Sequence, residues 1–395
     1  MTQTASKRVR AGTVITLMGA ILAYLIGSGF ATGQEALQYF ASFGAPGAAG
    51  ALVISFCLYS YVTAVVLRDG RNLRLKSGNA IFEYYCGKYI GKFFGVFAPL
   101  FFFCLFAVML SGAGAALNEH LGWNSQVGIL AMAVGVLLTV MMGLDGLVGI
   151  VSKLGPVIVV LCLVVGIIGI VRSPQGIAAS ADTLPTIDVL QAAPNWAVSG
   201  FNYPGLGILM LVPFLASLST RVRNDREAVT AGLAGAMTFV AAVAVVAFGL
   251  LANIGDVYDK QIPMLWIANQ IFSGAGSIFS VVLFAGIYTT AVPLLWTAIN
   301  RIETNDRSNR AKVFALIATV AAVLLAQVPF AELVNVLYPV AGYLALVLVG
   351  CIVIRQIRNI RARKRGTDVY AVAFERLPEE KAATAPQDVQ DVQAG

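Results

Sequence analysis

Residues 23–35 read Ala-Tyr-Leu-Ile-Gly-Ser-Gly-Phe-Ala-Thr-Gly-Gln-Glu and interrupt the first apolar run of the chain, 12–41, near its middle. Two glycines one residue apart, Gly27 and Gly29, weaken a helix by about 1 kcal/mol each relative to alanine. Non-helical backbone at membrane depth is tolerated only where it is buried in protein or lines a water-filled cavity. A matching interruption falls in Trp196-Ala-Val-Ser-Gly-Phe-Asn-Tyr-Pro-Gly-Leu-Gly207, where Pro204 removes an amide donor and crowds the preceding turn. Taken singly each break has a plain structural reading, because Gly29 and Gly33 also form a small-residue packing face. Interrupted spans at corresponding positions of two halves, however, point to a transporter binding site.

The surroundings of these stretches are those of a membrane protein. Hydrophobic residues make up 58% of 395 positions and charged residues only 12%, about half the charged share of a soluble domain. A span needs roughly 20 apolar residues, and the chain offers ten, at 12–41, 46–67, 93–117, 126–143, 150–171, 197–219, 228–252, 275–299, 311–327 and 331–354. The aromatic stretch Asn79–Phe94, with Lys88 and Lys92, reads as a helix lying on the membrane surface. If the N-terminus is cytoplasmic, 25 of the 27 lysines and arginines fall in cytoplasmic segments, leaving only Arg172 and Lys260 outside. The expectation is a multi-pass protein of the cell membrane with both ends cytoplasmic. It has a short N-terminus (1–11), a transporter domain (12–354) and a basic, then disordered, tail (355–395). The domain divides into repeats at about 12–171 and 197–354. Five helices per repeat is an odd number, so the repeats have opposite topology and helices 1 and 6 are the broken ones.

The net charge of +7 does not indicate nucleic acid, since the basic cluster Arg355–Arg365 directly follows the last span, where it anchors topology and meets anionic lipid. Cys57, Cys86, Cys104, Cys162 and Cys351 form no CxxC and read as small hydrophobes at helix interfaces. His120 beside Glu119 has no second histidine or acid cluster to make a metal site, and no phosphate-binding GxxxxGK[ST] loop occurs. An enzyme is not expected.

The stretch IGSGFATGQEALQYFASFG (26–44) resembles the first-helix signature of the YkvI-like bacterial membrane proteins, within the amino acid–polyamine–organocation (APC) superfamily. That resemblance implies the LeuT-type fold: all-α, ten transmembrane helices in a five-plus-five inverted repeat. Gly27-Ser28-Gly29 is also similar to the first-helix motif of amino-acid transporters, in which free amides hold the substrate carboxylate. A sodium ion in such folds lies between carbonyls of the first break and hydroxyls of the eighth helix. Here these match Leu25 and Ile26 on one side and Thr289 and Thr290 on the other. The alternative for the threonines is a bond to their own helix backbone.

Glu35 is the one carboxylate well inside the first span, where a charge costs about 2.5–3.5 kcal/mol on insertion scales. It could couple protons, neutralise a cationic substrate, form an external gate, or simply close the structure near the interface. The expected substrate site comprises Gly27, Ser28, Gly29 and Phe30 with Gly200, Phe201, Asn202 and Tyr203; Trp196 reads as an interfacial tryptophan. The expected function is sodium-coupled transport of a small organic solute, an amino acid or related zwitterion, with no organic cofactor. The alternatives are proton-coupled transport of a cationic solute through Glu35, and a non-transporting sensor or scaffold. Substrate identity and oligomeric state are not readable.

Overall fold

The computed structural model describes residues 9–73, 75, 80–142, 148–300, 308–366, 369–370 and 372; of these, the side chains of Ser28, 148–155 and Asn300 are excepted. The sequence-stretch around Lys153 therefore lies outside the described side chains. Among the described residues the chain is helical with no strand. In order the helices are α1 Ala11–Leu25, α2 Ser28–Thr32, α3 Gln34–Tyr39, α4 Gly44–Leu73, α5 Ala80–Leu121, α6 Ser125–Met142, α7 Val148–Arg172 and α8 Gly176–Thr183. They continue with α9 Trp196–Leu218, α10 Asp225–Leu251, α11 Ile254–Val257, α12 Pro263–Asn269, α13 Ala275–Asn300, α14 Asn309–Leu325 and α15 Phe330–Lys364.

Seven helical stretches are long and apolar enough to cross a membrane, and an eighth arises if Pro156–Arg172 and Gly176–Thr186, bent by 81° at their junction, count as one. Each apolar run of the sequence falls on one of these helices or on α1 or α14. With no hydrophobic driving force between helices in lipid, close approach of small residues holds such a bundle together. α4, α9, α10 and α15 form its centre. A Cβ on Gly205 of α9 would lie 2.4 Å from the Cα of Gly342 in α15, and one on Gly200 would lie 2.8 Å from the Ala51 carbonyl in α4. The outward faces of α5, α6, α13 and α14 carry exposed Leu100, Leu138, Val281 and Ile317, as lipid contact requires.

Two sequence expectations need correction. α9 is continuous through Pro204, where a break was expected. Proline at 204 cannot donate to the Gly200 carbonyl, but the Ser55 hydroxyl on α4 does so at 3.0 Å, so the freed acceptor is satisfied and the helix need not open. The second correction concerns Asn79–Phe94, which is not one helix, because two helices meet within it at Gly87. Ala80–Cys86 is a short helix that ends at Gly87, whose φ of 73° favours glycine, and the chain kinks there into the long helix that makes up the rest of α5. Phe82 then stacks on Phe94 at 5.7 Å, and Tyr84 and Tyr85 are buried because their hydroxyls find partners inside.

Candidate functional site

The first span is broken. Helical hydrogen bonding in α1 ends with Ile26 N–H donating to the Leu22 carbonyl at 3.0 Å. Ile26 (φ −85°, ψ 97°) and Gly27 (φ −104°, ψ −171°) are extended, and α2 starts at Ser28. The last carbonyls of α1 and the first amides of α2 therefore have no intrahelical partner. A second interruption follows at Gly33, left-handed at φ 87°, where a Cβ would meet Met264 at 2.7 Å. Gly27 and Gly33 thus re-aim the chain twice, and α3 carries Glu35 back alongside α2.

Gly29 makes that return possible. A Cβ at this position would lie 2.0 Å from Glu35 Oε1 and 2.8 Å from the Tyr338 hydroxyl. Bare backbone here lets the carboxylate and the phenol share one spot. Tyr203 lines the same cavity as Glu35. These groups line a cavity of about 100 Å³ bounded by Tyr24, Gly27, Gly29, Glu35, Tyr39, Tyr59, Tyr203, Phe239, Thr290 and Tyr338, with Leu105, Met109, Leu206, Met210 and Leu294 among its apolar walls. Among the residues lining it, Glu35 is the only carboxylate, and no lysine, arginine or histidine takes part.

The expected site residues separate into those the cavity includes and those it does not. Leu25, Gly27, Gly29, Glu35, Tyr203 and Thr290 line it. Phe201 does not: it is 48% exposed on the outer side of α9, because an unbroken helix turns residues 201 and 203 to different faces. Gly200 packs on α4 instead. Asn202 is buried as a tie between helices, accepting from Tyr39 at 3.2 Å and donating to the Pro339 carbonyl at 3.1 Å. Phe30 is buried against Phe239, ring centroids 6.5 Å apart, and Ile26 is buried. The Ser28 side chain lies outside the described residues. Thr289 and Thr290 both donate to the Gly286 carbonyl, at 2.9 and 3.0 Å. Their protons are engaged within α13, their oxygen lone pairs are still available, and only Thr290 lines the cavity. Trp196 is 44% exposed and covers Gly47 and Gly50 of α4. No group of three or more histidine, cysteine, aspartate or glutamate side chains that could hold a metal occurs among the described residues.

Tyr59, Tyr39 and Phe239 were not anticipated from the sequence. The available signal was a tyrosine in mid-span: such a residue is displaced from the interfacial belt it prefers and needs a polar partner when buried.

The cavity is capped on one side by amides. Gln34 and Gln38, one turn apart on α3, are joined at 2.8 Å. Gln34 donates to the Lys260 carbonyl at 2.5 Å, and Gln38 to the Ala331 carbonyl at 2.9 Å. Asn335 donates to Gln38 Oε1 at 3.0 Å and to the Gln191 carbonyl at 2.9 Å. The Gln261 side chain accepts from Ala331 N–H at 2.8 Å, while its backbone N–H donates to Glu119 Oε1 at 2.5 Å. The hairpin before α12, the start of α15 and the segment before α9 are thereby drawn together over α3.

No protein-family model matches the chain. Its sequence is 24% identical over 346 residues to the uncharacterized membrane protein YkvI of Bacillus subtilis (strain 168), spanning 87% of this chain and 96% of that protein. The backbone superposes on a manganese transporter of Eremococcus coleocola with a TM-score of 0.54 at 15% identity, over 89% of this chain and 81% of that one. It superposes on MhsT in complex with L-phenylalanine with a TM-score of 0.56 at 16% identity, over 87% of each chain. The resemblance to the YkvI-like proteins thus extends along the chain, and the fold is that of LeuT-type transporters.

Proposed function

We propose that this membrane protein is a secondary transporter whose solute is a small amine-bearing molecule, an amino acid or related zwitterion, held in the cavity at the first break. One observation carries the reading: a membrane-depth cavity in which Glu35 is the sole charge of either sign among the lining residues. A buried charge is retained where it is paired, and an ammonium group supplies the pair. Gly27 and Gly29 also line the cavity, and their bare backbone leaves room for a solute carboxylate to approach. A cavity of about 150 Å³ holds benzene, so about 100 Å³ suits a solute smaller than that.

Sodium coupling is the accompanying proposal, supported by Thr290 and Leu25 lining one cavity. Exchange of a proton at Glu35 for a cationic solute is the second reading, favoured by the absence of a basic side chain beside that carboxylate. Ten spans complete the arrangement: α1–α3 count as the first, α4 to α7 as four more, and α9, α10, α13, α14 and α15 as the rest. The charge partition supports cytoplasmic ends, and a periplasm-dependent phosphatase fused to either end should be inactive.

The deciding experiment is uptake of radiolabelled small amino acids and amines into proteoliposomes under a sodium or a proton gradient. Accumulation of an amine-bearing solute that collapses when the driving gradient is dissipated is the expected result. Absence of uptake across the panel, with protein correctly inserted, would favour the sensor or scaffold.

A further inference from the structure

Opposite the amide cap, at the ends of α4, α9 and α15 where the arginines gather, lies a second buried carboxylate that the cavity does not use. Asp69, near the end of α4, is fully buried. Its neighbour Arg68 donates to Oδ1 through Nε and Nη2, at 3.1 and 3.0 Å. Tyr85, just before the Gly87 turn of α5, donates to Oδ2 at 3.0 Å. Gln356 of α15 donates to the same oxygen and accepts from Arg68 at 2.6 Å. Beside this cluster Asn359 donates to the Tyr84 hydroxyl at 2.8 Å, and the Arg355 guanidinium lies 4.5 Å from the centre of the Tyr84 ring.

The remaining partner comes from beyond the last helix. Tyr370 donates to Asp69 Oδ1 at 3.0 Å across 301 positions of sequence. Its ring is covered by Arg363, 5.0 Å from the centroid, and Val369 beside it is 6% exposed. Tyr370, beyond the end of α15, thus reaches Asp69 on α4. The Tyr370 hydroxyl is a further donor to a carboxylate already held by an arginine, a tyrosine and an amide, and it joins α4 to a residue beyond α15.

That junction matters because of where the cavity lies. Asp69 is ten residues beyond Tyr59 on α4, roughly 15 Å along the helix. The cavity wall residues Leu206, Gly207 and Met210 run along α9 toward this same end, as do Thr290 and Leu294 along α13. α4 and α15 both pack on α9. Asp69 ties these two helices at this end, directly through Gln356 and from beyond α15 through Tyr370.

We propose that Val369–Tyr370 is a strap that locks this face shut by engaging Asp69, and that its release precedes opening of the cavity toward the arginine-bearing side. The inference does not depend on what the solute is. It can be tested by chemical access. Cys57, Cys86, Cys104 and Cys351 are replaced by alanine, Leu294→Cys is introduced, and Cys162 is kept as a reporter of the fold because it is buried in α7. The full chain in proteoliposomes is treated with a charged methanethiosulfonate. Tyr370→Phe, which keeps the ring and its Arg363 contact, and a chain ending at Gly366 should each raise the labelling rate at position 294 at least threefold, with Cys162 unlabelled. Unchanged labelling in both overturns the proposal. If the shortened chain also labels Cys162, it has lost its fold and Tyr370→Phe alone decides.

Discussion

On one side of the cavity Gln34, Gln38 and Asn335 meet backbone carbonyls and each other while Gln261 accepts from a backbone N–H; on the other, Asp69 collects Arg68, Tyr85, Gln356 and Tyr370. The first cap is almost entirely neutral, with Glu119 at its edge; the second is built around a buried charge. A neutral amide bond contributes about 0.5–1.5 kcal/mol net and can be exchanged for water bond by bond, so the amide cap can be remade in alternative pairings. A buried carboxylate loses far more when its partners leave, so the Asp69 cluster has one good arrangement and resists partial opening. In an alternating-access cycle the amide cap is suited to repeated small adjustments and the charged one to an all-or-none release.

The comparison can be broken by mutation. Asp69→Asn should have the largest effect, about 3 kcal/mol of stability, because it leaves the Arg68 guanidinium without its buried counter-charge; unfolding of the purified protein in detergent measures it. Gln38→Ala should cost less, about 2 kcal/mol, since the Asn335 amide and the Ala331 carbonyl lose a partner but no charge is stranded. A larger loss for Gln38→Ala than for Asp69→Asn would reverse the contrast. Between the two caps, Gly29→Ala must displace the Glu35 carboxylate. The flexible side chain can move, so the stability loss is about 1 kcal/mol, while solute binding is lost. Gly27→Ala meets open space and should change stability by less than about 0.5 kcal/mol. Arg71→Ala is also at the small end, because its partner Asp225 is 53% exposed; less than about 1 kcal/mol is expected, and less again in high salt.

The fold was readable where composition and periodicity govern it. Apolar runs located the helices because lipid leaves the backbone no alternative to helix, and Gly27-Ser28-Gly29 marked the first break, where Ile26 and Gly27 are extended. Pro204 misled for the opposite reason: the hydroxyl that rescues Gly200 comes from Ser55, 149 positions earlier than the proline, and no local pattern announces it. The site was half legible. Glu35 stood out as a charge at membrane depth, and Tyr203 through its neighbourhood of glycines. Tyr59 and Tyr39 converge on the cavity only through the crossing of α4, α3 and α9. Phe201 and Gly200 drew attention by lying next to the proline, whereas their places were decided by which face of α9 they occupy. Tyr370 lies in a polar stretch whose composition suggests disorder, and only its bond to Asp69 distinguishes it.

The account rests on Glu35 as the counter-charge for the solute, and thermal unfolding of wild type and Glu35→Gln against a panel of amines, amino acids and carboxylic acids tests this most directly. A ligand that binds only the folded protein at a hundred times its dissociation constant stabilises it by about 2.7 kcal/mol. An amine-bearing compound should raise the transition temperature of the wild type and leave Glu35→Gln unshifted, with simple carboxylic acids inert on both. A stabilising amine that shifts the two proteins equally, or a carboxylic acid that stabilises the wild type, would contradict it.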